Sequence, residues 1–177
     1  MNDIKSEERM KKFRYGLLKY QRNRELQDFE NKIKLQCPSI FKRFNYANLE
    51  KSYELFENLC ENSVIRYQSS RMSEQDFKKF CQSIIKSMPN RSIWLSFANY
   101  KWVGAIQIDL HTVLNSVIHL LAFDLSTIFL YTDELSVNEC LMLDYDDSSF
   151  DGGYELFIWG SWSKSCQHLL KKEVKHH

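Results

Sequence analysis

A chain of 177 residues with 44% hydrophobic and 14% aromatic residues has material for one good core, whereas two domains would each be small. Its apolar stretches are too short to span a bilayer, and the charged start MNDIKSEERMKKF is unlike a secretory signal. The net charge of +1 conceals an asymmetry: residues 1–93 hold 19 Lys and Arg against 12 Asp and Glu, and residues 94–177 hold 5 against 11.

The first half reads as helices. Ser6 is placed to cap a run with Glu7 and Glu8 in its first turn; Met10, Phe13, Leu17 and Tyr20 follow at helical spacing, then Leu26, Phe29 and Ile33, until Pro38 stops the run. A second helix is expected over about 48–66 from Leu49, Tyr53, Phe56, Cys60 and Val64. The third opens on Ser73 with Asp76 three residues on, carries Phe77, Phe80, Cys81, Ile84, Ile85 and Met88 on one face, and ends at Pro89. Beyond Pro89 the period changes to two. RSIWLSFANYKWVGAIQID reads as two strands joined near Asn99–Lys101, after which Asp109 is expected to cap a helix from Leu110 to Leu121. STIFLYT, CLMLDY and YELFIW read as further strands, followed by a short helix around Ser163–Lys172. The expectation is one α+β domain over residues 1–177: a basic helical half (1–88), then an acidic half (91–162) with a largely antiparallel sheet of four or five strands and one or two further helices.

From Trp102 through Ser163 ten acidic residues occur with no Lys or Arg, a window that repels nucleic acid and attracts cationic partners. Its densest part is the loop DYDDSSFDGGYE, residues 144–155. The spacing of oxygen donors resembles a calcium loop, but position six is Ser149 where a glycine is needed, and the flanks have strand periodicity. If Asp146 faces Gly153, Cys140, Met142 and Asp144 share a face with Trp159, Phe157 and Glu155, which makes Asp144 and Glu155 direct neighbours of like sign. That repulsion favours a basic partner, with Trp159 and Trp162 as aromatic anchors among the carboxylates. Asp109, Asp144 and Glu155 could alternatively supply a metal-dependent nuclease, although the span lacks the Lys or Arg such a site uses to hold phosphate. His111 and His119 read as the polar side of their helix. A second alternative is a nucleic-acid-binding regulator whose basic helices bring Arg9, Lys12, Arg22 and Arg24 together. Cys37, Cys60, Cys81, Cys140 and Cys166 have no metal or nucleophile spacing and read as reduced thiols in a cytoplasmic protein.

The run IFLYTDELSVNECLMLDYDDSSFDGGYELFIWGSW, preceded by SIWLSFANYKWVGAIQIDL, resembles the second half of small cytosolic immunity proteins of bacterial contact-dependent and related polymorphic-toxin systems. The nearest likeness is to inhibitors of uridine-specific endoribonuclease-type toxins, over roughly residues 91–162. On this chain it extends to Tyr131, Asp133, Asp144, Tyr145, Glu155, Trp159 and Gly160. What the resemblance implies is a non-enzymatic protein that binds a cognate basic nuclease toxin and covers its RNA cleft. The expected contact set is Asp133, Glu134, Asp144, Asp146, Asp147, Asp151, Glu155, Trp159 and Trp162. No cofactor, metal, membrane, small-molecule substrate or direct nucleic-acid contact is expected.

Overall fold

The computed structural model describes residues 2–38, 40, 45–48, 51, 67–100, 103–124, 127–132, 139–146 and 152–166; within these, the side chains of residues 2–12, 14, 15, 161 and 165 are not described. The architecture is α+β, with one antiparallel sheet. Strands β1 (Asn45–Tyr46), β2 (Tyr67–Gln68), β3 (Ser92–Phe97), β4 (Ile106–Asp109), β5 (Thr127–Tyr131), β6 (Cys140–Asp146) and β7 (Gly153–Trp159) run in the order β1-β4-β3-β5-β6-β7-β2. The sheet therefore has seven strands rather than four or five. The two additional ones come from the first half and are two residues long, too short for an alternating pattern to mark them.

One apolar row crosses every strand: Tyr46, Ile106, Leu95, Leu130, Leu141, Ile158 and Tyr67 are successive partners. Beside it lies Phe97, Ile128, Leu143 and Leu156. These rows form the floor of the main core. Its roof is helical, from α1 (Asn2–Gln36), α2 (Glu74–Ser87), α3 (Leu110–Asn115), α4 (Val117–Asp124) and α5 (Ser161–Ser165). Phe29 of α1 packs edge-on against Phe123 and Tyr100, with ring centroids 5.4 and 5.2 Å away.

Local chemistry accounts for the helix ends. The Ser73 hydroxyl accepts the Asp76 N–H at 3.2 Å and bonds the Asp76 carboxylate at 2.8 Å, and α2 then buries Phe77, Phe80, Cys81 and Ile84. The single helix expected over Leu110–Leu121 is broken at Ser116, whose φ of −113° and ψ of 11° leave the helical region. Asn115 and Ser116 are both poor interior helix formers, because their side chains compete for backbone hydrogen bonds. Asp109 does occupy the cap position of α3, but its side chain makes no capping bond. The connection from β3 to β4 is longer than expected, with a 3₁₀ turn at Ala98–Tyr100. That turn is held by Asp124, whose carboxylate accepts the Asn99 N–H at 3.1 Å. Burial pushes the Asp124 carboxyl up to about 6. The helix expected over 48–66 falls almost wholly outside the described residues.

Beyond β2 the chain stays on the outer edge of β7. Ser69 donates its N–H to the Leu156 carbonyl (2.9 Å) and accepts the Leu156 N–H on its hydroxyl (3.0 Å), and Met72 exchanges both backbone bonds with Tyr154. Among the described residues no helix is long and apolar enough to cross a membrane.

Candidate functional site

The side of the sheet away from the helical roof changes character along its strands. At one end Trp94, Tyr131, Cys140 and Trp159 form a row across β3, β5, β6 and β7, all buried. The Tyr131 and Ser96 hydroxyls are 2.6 Å apart, and the Lys51 ammonium lies 5.2 Å from the centre of the Trp94 ring. The next row is Ser96, Phe129, Met142 and Phe157, partly buried. Two residues further on are Thr127, Asp144 and Glu155, and at the tip Asp146 faces Gly153. The face thus runs from apolar to acidic over seven residues of β6.

Asp144 and Glu155 are direct cross-strand partners, in the register that the alternation of the two strands implies. The Thr127 hydroxyl donates to Asp144 at 2.5 Å, which offsets part of its charge, and among the described residues Glu155 has no cationic partner. Asp146 is different. The Arg71 guanidinium pairs with it, reaching across Gly153, where an added Cβ would collide with the Arg71 Cγ. A glycine at 153 is therefore a packing requirement of that ion pair. Sequence reasoning missed Arg71 because the contact closes over 75 positions.

Trp162 must be corrected as an anchor: it is 1% exposed in the main core and presents no surface to a partner. Its ring lies under the Arg91 guanidinium (5.0 Å), which in turn bonds the buried Glu139 carboxylate at 3.1 Å. The one sequence clue is its position just after a strand, at the start of a helix that folds back onto the core. Trp159 is 7% exposed, buried in the apolar end of the second face rather than displayed among carboxylates. Gly160 between them has φ of 67°, which favours glycine and lets the chain leave β7 for α5. Tyr145 packs on Tyr154, centroids 4.8 Å apart. Asp133, Glu134, Asp147 and Asp151 lie outside the described residues.

The nuclease constellation does not assemble. Asp109 pairs with Ser92 at the far end of β3 and β4, and the register puts it six residues of strand, roughly 20 Å, from the level of Asp144 and Glu155. The loop with calcium-like spacing is flanked by strands β6 and β7. Arg22, expected on a joint basic surface with Arg9, Lys12 and Arg24, is turned inward and donates to the Ala47 and Val103 carbonyls. His111 is bonded through Nε2 to the Met88 carbonyl (2.8 Å), and the break at Ser116 separates it from His119. Cys37, Cys81, Cys140 and Cys166 are buried free thiols; burial pushes Cys81 up to about 12 and Cys166 up to about 11, which makes both poor nucleophiles. Cys60 is outside the described residues. No family model, curated protein or solved structure matches the chain.

Proposed function

We propose that the protein is an immunity protein that binds a cognate basic nuclease toxin, an RNA-cleaving one, and covers the surface with which that toxin holds its substrate. The observation that carries this reading is the acidic end of the second face: Asp144 and Glu155 side by side, with half-buried Phe129, Met142 and Phe157 next to them. Two adjacent carboxylates repel each other, and a cationic partner that separates their fields converts that cost into binding energy. A nuclease must be basic where it grips phosphate, so a carboxylate-bearing face competes for the same site. Phe129, Met142 and Phe157 supply apolar contact beside the charge, as an interface core does beside its polar rim. Asp146 contributes less, because Arg71 already occupies it.

Co-expression with the toxin encoded next to its own gene tests the proposal. Growth should be rescued, and about one equivalent of purified protein should stop RNA cleavage by that toxin without cutting RNA itself. Replacing Asp144 and Glu155 with lysine should abolish rescue while the protein remains folded. Rescue that survives this double reversal would remove the acidic end from the interface.

A further inference from the structure

Helix α1 carries two apolar stripes, and the core uses only one. Leu26, Phe29 and Ile33 point into the roof of the sheet. Phe13, Leu17 and Tyr20 recur at i, i+4 and i+7 but are 69%, 48% and 66% exposed. The step of six residues from Tyr20 to Leu26 turns the helix by about 240°, so the first stripe faces away from the protein body. At 35 residues the helix is about 52 Å long against about 23 Å for the longest strand, and its grip on the sheet edge runs from Arg22, at Ala47 and Val103, through Glu25, which accepts the Val103 N–H, to Glu30, which accepts the Tyr46 hydroxyl. The stripe lies on the part that precedes this grip.

Its setting is basic. Residues 2–24 hold eight Lys and Arg against three Asp and Glu. At 3.6 residues per turn, Arg24 falls on the side of the stripe. An apolar-basic stripe fits an apolar-acidic surface, and this chain has one: Phe129, Met142 and Phe157 leading to Asp144 and Glu155. The two lie towards opposite sides of the sheet. Arg22 holds α1 beside β1 and β4, first in the strand order, whereas β6 and β7 are fifth and sixth. Pairing two α1 stripes with each other would set one basic segment against another, which is unfavourable.

We propose that the Phe13–Leu17–Tyr20 stripe of one molecule docks on the acidic end of the second sheet face of another copy, head to tail. Such a contact uses a different surface on each partner, so every copy keeps one donor and one acceptor surface. The inference does not depend on the toxin-binding reading, although both use the acidic face.

Two variants and their mixture test it. The stripe variant carries Phe13→Ser, Leu17→Ser and Tyr20→Ser; the acid variant carries Asp144→Lys and Glu155→Lys, with Asp144→Asn and Glu155→Gln as the milder pair if the first fails to fold. In sedimentation velocity the unaltered protein should show an average mass that rises with concentration and falls with added salt. Each variant alone should be monomeric, and an equimolar mixture should form a dimer and nothing larger. A monomeric unaltered protein at every concentration overturns the proposal. So does an acid variant that still self-associates, which would show stripe-to-stripe pairing, or a mixture that stays monomeric. Single-stranded RNA retention lost in the stripe variant, with no dimer in the mixture, would instead give the stripe to nucleic acid. Because the stripe is off the proposed toxin surface, rescue from the toxin by the stripe variant reports on that function alone.

Discussion

The two faces of the sheet are made from the same strands and obey different rules. Towards the helices, alternate residues are apolar from Tyr46 across to Tyr67, fully buried in the middle strands and half-buried at those two ends. On the other side the intervening residues begin apolar at Trp94, Tyr131 and Trp159 and end as Asp144 and Glu155. A strand of period two serves both at once, since each residue sees one side only. Stability is concentrated on the first face, which leaves the second free to carry Glu155, a carboxylate with no cationic partner among the described residues.

Neighbouring residues of β6 give the largest test of that contrast. Leu141→Ala should cost about 2–5 kcal/mol, because it opens a cavity in the main core, whereas Met142→Ala, on the opposite face, should cost about 1 kcal/mol or less. Equal shifts in urea midpoint would mean that both faces are cores. Next in size is the pH response of the buried carboxylate on the helical side. Asp124 has a folded value raised to about 6 from 3.8, so between those values the folded state holds the proton more tightly than the unfolded state. The contribution of Asp124 to stability is therefore full below about pH 4 and is lost, by at most about 3 kcal/mol, as pH rises through about 6. Asp124→Asn should remove that segment from a plot of melting temperature against pH. A smaller effect is expected for Arg91→Leu, which removes the ion pair of the buried Glu139; it should cost about 1–2 kcal/mol, less than a fully buried pair because the Arg91 side chain is 38% exposed. Smallest, and opposite in sign, is Glu155→Gln. It should raise stability by a few tenths of a kcal/mol by relieving the repulsion with Asp144, a gain that shrinks with added salt, while weakening any complex with a cationic partner.

Features written into consecutive residues were legible in the sequence, and those that join distant segments were not. The β6–β7 register follows from two seven-residue alternations, so the adjacency of Asp144 and Glu155 could be read directly. The capping of α2 by Ser73 is similarly local. Strands β1 and β2 have no period to detect and exist only because the edges of β4 and β7 receive them. In α1 one continuous helical spacing hid a change of face between Tyr20 and Leu26, and hydrophobicity alone could not say which stripe the core would take. The acidic window looked free of basic residues because its cations arrive from the first half: Arg71 to Asp146 and Arg91 to Glu139. Trp162 had the composition of an anchor and the location of a core residue.

The segment from Tyr67 to Met72 has a consequence for how any partner meets the hairpin. It takes the outward backbone donors and acceptors of β7 at Tyr154 and Leu156 and pairs with Phe157 and Ile158, using the Ser69 hydroxyl where the ladder would otherwise miss a bond. That edge therefore has no free hydrogen-bonding template over these positions, and recognition by strand addition is closed there. At these positions β7 is read through the side chains that it presents on the sheet faces. A partner's choice then rests on the identity and spacing of a few residues, which point substitutions can change without disturbing the backbone that carries them.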